Sequence, residues 1–236
     1  AHVPDILNFI SGVEILLKKD GVATLEFPHF NNLINTAQFD TIYHEHFSYF
    51  SIHSLAIGLQ KFNCKIIKVE KINTHGGSVR VYVCKNESSN SIDDSVENII
   101  NEEKFIFDNL NDYRNKFVNK SNKITFDLIR FLCEQKIKGK SIAAFGAAAK
   151  GNTFLNYCGI KTNLIDFVAD ETKSKQYCYL PGSRIPVFPI NKIKEQRPNL
   201  ILILPWNWEK EIKKKLEFTK EWDCQLFVAC PKLKLL

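Results

Sequence analysis

Ser141-Ile142-Ala143-Ala144-Phe145-Gly146-Ala147-Ala148-Ala149-Lys150-Gly151-Asn152 reads as a strand, a glycine turn and the opening of a helix. An apolar run that stops at a glycine and hands over to small residues is the pattern of a strand covered on both faces, followed by a close turn into a helix. Such a turn aims backbone N–H groups and the positive end of a helix at the same point, which attracts an anion. The spacing is neither G-x-G-x-x-G nor a Walker loop, so the stretch points to a phosphate-bearing ligand or to close packing of helix on strand. Asp170 lies just past the next apolar run, where a carboxylate can take a ribose hydroxyl or simply cap a turn.

Toward the C-terminus, apolar runs at 164–169, near 187, at 200–204 and at 226–229 alternate with helical stretches. That alternation predicts a doubly wound α/β domain over 139–236. Its loops carry Arg184, within Leu180-Pro181-Gly182-Ser183-Arg184-Ile185-Pro186, and Trp206 with Trp208. The arginine suits a phosphate or a surface loop, and the indoles suit a stacked base or the core.

Upstream, 86–138 is helical and predicts a connector. Ser91 and Asp94 resemble a capping box, and apolar residues recur at helical period from Val96 to Phe117, before a second helix carrying Leu128, Ile129 and Leu132. In residues 1–85, Pro4 and Asp5 open a helix that Lys18-Lys19-Asp20-Gly21 stops, and 22–27 reads as a buried strand. Runs at 64–71 and 78–84 form a strand pair around Thr74-His75-Gly76-Gly77. His75 and Arg80 there either shape a ligand site or belong to an ordinary turn.

The chain has 236 residues, 44% hydrophobic and 25% charged, in the globular range. Its net charge of +6 comes from scattered lysines, which argues against nucleic acid and favours anionic small molecules. No run reaches the ~20 apolar residues of a membrane helix, and no leader opens the sequence, so a cytoplasmic protein is expected. The seven cysteines form no C-x-x-C pair and indicate neither zinc nor disulfides. There is no methionine, and the chain is expected to begin inside a domain.

The densest chemistry is Phe39-Asp40-Thr41-Ile42-Tyr43-His44-Glu45-His46-Phe47-Ser48-Tyr49-Phe50. An extended chain would set Tyr43 with Glu45 on one side and His44 with His46 on the other. Histidine is the usual general base near neutral pH, and a neighbouring carboxylate or phenol orients the ring. Structural hydrogen bonding and an H-x-H metal pair are the competing readings, the latter without an obvious third ligand.

This block, with Ala1-His2-Val3-Pro4-Asp5, Leu25-Glu26-Phe27-Pro28-His29, Gly76-Gly77-Ser78-Val79-Arg80 and the Gly146 turn, resembles the nucleotide-sugar C-methyltransferases that act on keto-deoxyhexoses. The resemblance implies an S-adenosylmethionine-dependent Rossmann-type domain, of which 1–85 is the C-terminal part. It also implies a Rossmann-like nucleotide-sugar-binding domain over 139–236. A zinc-binding region and the first glycine-rich half of the methyltransferase domain, both N-terminal in that family, have no counterpart in these residues, so most of the donor site is expected outside them.

By the same resemblance the substrate is a dTDP-linked 4-keto sugar methylated at C3, with His46 as base and Tyr43, Glu45 and His2 lining the site. The expected nucleotide-sugar contacts are His75, Arg80, Gly146, Ala147, Lys150, Gly151, Asp170 and Arg184. No metal within the chain and a monomer are expected. The competing functions are a nicotinamide-dependent sugar oxidoreductase and a non-catalytic nucleotide-sugar-binding module.

Overall fold

The computed structural model describes residues 1–73 and 76–236. Its contacts divide the chain into two units, Ala1–Ala37 with His44–Phe117, and Gln38–Tyr43 with Val118–Leu236.

The first unit opens with α1 (Ile6–Leu16), whose N-terminus is capped by the Asp5 carboxylate accepting from the Asn8 amide at 3.0 Å. Three antiparallel strands follow along the chain, β1 (Ala23–Pro28), β2 (Cys64–Ile72) and β3 (Ser78–Lys85), in the order β1-β3-β2. The strand pair read from the sequence is β2 against β3, while β3 also zips along β1 from Ala23↔Val83 to Pro28↔Ser78. The sequence predicts β1 as a buried strand, but it alternates, with Phe27 inside and Thr24 and Glu26 exposed. Only one face is covered, as antiparallel sheets allow.

Helices α2 (Phe30–Thr36) and α3 (Ile52–Gln60) follow β1, and α4 (Asp94–Asp108) packs back on β2. Ile10, Phe27, Ile52, Leu59, Val81 and Ile99 share this core. The cap of α4 is Asp93, which accepts from the Ser95 amide at 2.9 Å, rather than Ser91. The helical stretch breaks at Asn109, earlier than the periodicity predicts, and α5 (Leu110–Ile137) then runs unbroken for 28 residues.

The second unit is a six-stranded sheet in the order β6-β5-β4-β7-β8-β9. Its strands are β4 (Ile142–Phe145), β5 (Phe167–Ala169), β6 (Val187–Phe188), β7 (Leu200–Ile203), β8 (Gln225–Val228) and β9 (Lys234–Leu235). All pair in parallel except β9, a short antiparallel edge that the sequence does not announce. The run at 164–169 yields a strand only from Phe167 onward. Helices α6 (Ala149–Tyr157), α7 (Asn191–Gln196) and α8 (Glu209–Lys215) alternate with the strands. β4 and β7 are fully buried along their length, as continuous apolar runs in a parallel sheet require.

Because β4 leads to β5 on one side and β7 leads to β8 on the other, the gap between β4 and β7 is the sheet's topological switch point. The segment Gln38–Tyr43 belongs to this second unit. Leaving α2 through Ala37 in the left-handed conformation (φ 54°), it makes a single buried turn, Phe39–Thr41, against α6. Phe39 packs on Phe154 and Tyr157, with ring centroids 5.6 and 4.5 Å apart.

Candidate functional site

The chain bends through residues 43–45 instead of running extended, so the predicted two-sided alternation does not form. His44 and Glu45 are exposed, and His46 is half-buried. The Phe47 amide donates to the Ala1 carbonyl at 2.8 Å and lays the first residues along this block. His2 thereby stands edge-on to His46, centroids 4.8 Å apart at 82°. Tyr49 flanks His46 at 6.1 Å and 79°, and burial pushes its phenol above the usual range. One imidazole and one phenol thus meet around the half-buried His46 ring. Of the predicted catalytic residues, the structure brings His46 and His2 together and leaves Glu45 exposed. Tyr43 belongs to the second unit's segment.

Arg80 lies on β3 opposite Glu26 and donates to it at 3.1 Å, a partly exposed cross-strand pair. His75 lies outside the described residues.

Sequence reasoning missed the most buried ionic group of this unit. Glu103, fully buried on α4, accepts from His29 Nε2 at 2.8 Å and from the Ile52 and His53 amides at 2.6 and 2.8 Å. One carboxylate thus caps α3 and pairs with an imidazole in the core. A glutamate within a helical repeat reads as solvent-facing, so the sequence carries no signal for this role.

In the second unit the Gly146 turn has a packing reason for its glycines. Gly146 has φ 94°, and a Cβ there would sit 2.5 Å from the Pro205 ring; at Gly151 it would sit 2.9 Å from Leu204 Cβ. The Ala147 amide, expected to face a phosphate, donates to Asp170 Oδ2 at 2.6 Å. Asp170 is buried, and its other oxygen accepts from the Thr172 amide at 2.8 Å. The Asp170 carboxylate thus ties two loops of its own sheet.

Beside this turn, α6 starts without a side-chain cap. A cavity of about 300 Å³ is lined there by Ala148, Asn152, Lys175, Cys178 and Leu180. Lys175, for which the sequence gives no cue, donates to the Ala147 carbonyl at 2.9 Å. The Oδ1 of Asn152 is buried with no hydrogen-bond partner. Arg184 is exposed and left-handed (φ 56°) in a tight loop closed by the Leu180 amide on the Ile185 carbonyl.

Lys150 has its ammonium 5.8 Å over the Trp206 ring. The indole N–H of Trp206 donates to Asp40 Oδ2 at 2.7 Å. Asp40 is 1% exposed, and its Oδ1 has no hydrogen-bond partner. Burial raises its pKa above the usual carboxylate range, against the opposing pull of Lys150 and the indole. All seven cysteines are unpaired. Among the described residues no group of three or more His, Cys, Asp or Glu is placed to hold a metal, and no helix is long and apolar enough to cross a membrane.

A parallel sheet with a glycine turn at its switch point, joined in one chain to a unit bearing a histidine pair, defines the class. The family model described as the C-methyltransferase C-terminal domain matches residues 73–231, and the chain belongs to that family. It is similar to C-methyltransferase NovU of Streptomyces niveus, with 32% identity over 212 residues, covering 90% of this chain and 50% of that protein. The chain thus spans about half the length of that curated relative.

Proposed function

We propose that this chain is the sugar-handling part of an S-adenosylmethionine-dependent methyltransferase that methylates C3 of a dTDP-linked 4-keto-deoxy sugar. Residues 1–85 are read as the end of its methyltransferase domain, 86–138 as the connector and 139–236 as the nucleotide-sugar-binding domain. What carries the reading is the half-buried His46 with His2 edge-on at 4.8 Å, in a chain of the C-methyltransferase family.

In this reading His46 takes the C3 proton, and the electron pair left behind moves into the ring, placing negative charge on the C4 oxygen. Hydrogen-bond donors at that oxygen stabilise the enolate, and His2 and Glu45 line the site. A positioned base contributes roughly 10²–10⁴-fold.

S-adenosylmethionine, when bound, would offer the electrophilic methyl group of the reaction. The residues of the first unit do not fit a cradle for it. Among those described, β1 passes through Pro28 and His29 directly into α2, with no glycine-rich turn between strand and helix. The step assigned to this chain is therefore proton abstraction.

Proton NMR of a dTDP-4-keto-6-deoxy sugar in D₂O with this chain and no methyl donor tests the assignment. Deuterium should enter C3, and His46→Ala should abolish the exchange while leaving the circular dichroism spectrum unchanged. Exchange persisting in His46→Ala would remove His46 from the role.

A further inference from the structure

Residues 46–51, which begin with His46, lie in no helix or strand, yet their burial alternates. His46, Ser48 and Phe50 are half-buried, while Phe47 and Tyr49 are exposed. An irregular segment with such order is held by what stands around it.

Both ends of the segment are fixed within the first unit. The Phe47 amide is on the Ala1 carbonyl at 2.8 Å, and the Phe50 carbonyl accepts from the Phe30 amide at 3.0 Å. The Phe50 ring also stands edge-on to Phe27, centroids 5.4 Å apart at 68°. Glu103 binds both of the segments that meet at Phe50. On one side it holds the ring of His29, the residue before Phe30, and on the other the Ile52 and His53 amides, just past Phe50.

This carboxylate is more than a helix cap requires. Helix α3 has a complete capping box of its own, in which Ser51 Oγ accepts from the Ser54 amide at 3.0 Å and the Ser51 amide donates to Ser54 Oγ at 3.2 Å. The Ile52 and His53 amides that the box leaves over could be served by a neutral acceptor. A carboxylate that is 0% exposed has given up its hydration, and a buried ion pair is a poor route to stability. What three directional bonds on one rigid group do provide is register. They set where Phe50 lies, and the short span from Phe50 back to Phe47 leaves the adjoining His46 little slack.

We propose that Glu103 is a positioning residue for the His46 base. Through the His29 imidazole and the Ile52 and His53 amides it fixes the 47–50 span, and with it the place and direction of the His46 ring. The inference rests on the reading of His46 as the group that takes the C3 proton.

Proton NMR of the chain with labelled histidine gives a readout independent of turnover, the nuclear Overhauser effect between the His2 and His46 rings, which meet at 4.8 Å. Glu103→Gln is the near-isosteric probe, since its NH₂ must face either His53 or the pair of His29 and Ile52. It should erase the ring-to-ring effect and cut kcat for C3 deuterium exchange roughly tenfold or more, with KM within about twofold, as a misplaced base requires. Ile99→Ala removes buried apolar atoms from the same helix but none of these hydrogen bonds, and costs stability of the same order. It should keep the ring-to-ring effect, with kcat within about twofold of the parent. His29→Gln retains a side-chain N–H for Glu103 and should keep most of kcat, whereas His29→Ala should behave like Glu103→Gln.

An unchanged ring-to-ring effect or an unchanged kcat in Glu103→Gln would overturn the proposal. An equal loss in Ile99→Ala would overturn it too, by tracing the effect to stability alone. If exchange proves independent of His46, the base assignment fails separately, and the ring-to-ring effect in Glu103→Gln still decides whether Glu103 positions that ring.

Discussion

Replacing Glu103 by alanine tests whether a single buried carboxylate organises the first unit. The change removes the acceptor for three donors, and two of them, the Ile52 amide and His29 Nε2, are out of reach of solvent, with Ile52 0% and His29 2% exposed. Each buried donor left unpaired costs about 1–3 kcal/mol. The exposed His53 side of the helix start can turn to water and adds little. The two buried donors together cost about 2–6 kcal/mol, a large share of the 5–15 kcal/mol that typically holds a domain together.

Glu103→Gln keeps one acceptor oxygen but turns an NH₂ toward a donor, and about 1–3 kcal/mol is expected from it. Native-state hydrogen exchange is the assay of choice, because it reads the first unit without assuming that both units unfold together. The amides of Ile52, Leu55 and Leu59 should lose protection by the stated amounts, while those of β4 and β7 keep theirs. A loss below about 1 kcal/mol for Glu103→Ala would refute the reasoning, since it would mean that the freed donors find partners and that the pairing is incidental.

Three further outcomes are expected. Gly146→Ala places a methyl 2.5 Å from the Pro205 ring at φ 94°, so thermal melting should show the second unit destabilised by about 1–3 kcal/mol or more. Asp40 has its folded pKa above the ordinary 3.8, so it favours the folded state most below 3.8 and loses that contribution as pH rises through the higher folded value. The stability difference between the parent chain and Asp40→Asn, followed by urea titration at each pH, should shift against the parent across that window and flatten on either side. Burial pushes the thiols of Cys158 and Cys224 up to about 11 and about 12, while Cys133 and Cys178 are exposed. Mass spectrometry after a short iodoacetamide pulse at pH 8 should therefore find the last two alkylated first.

Local grammar made much of the fold legible. The run from Ile142 to Phe145 ending at Gly146 reads as a strand and turn, and the apolar runs at 64–71 and 78–84 read as a strand pair. What sequence could not supply are facts about who stands opposite. Thr24 and Glu26 expose one face of β1, Asp93 displaces Ser91 as cap, and Asn109 ends a helix that the apolar period would carry onward. At the candidate site the residue types were legible and their partners were not. His2 and His46 are both visible as imidazoles, yet their edge-on meeting depends on the hydrogen bond that the Phe47 amide donates to the Ala1 carbonyl. Asp170 is legible as a carboxylate, but that each of its oxygens accepts from a backbone amide is decided by the fold of the loops.

The Gln38–Tyr43 segment means that the second unit is not a contiguous stretch of gene. A fragment beginning at Val118 would carry Lys150, Trp206 and the pocket of Phe154 and Tyr157 but not the hexapeptide that fills it. Cutting the chain for expression, exchange between relatives or labelling must therefore carry residues 38–43 along, as a graft or as a separate peptide. Supplied in trans, that peptide becomes a complementation partner for the isolated sheet, and the indole emission of Trp206 offers a readout of its docking.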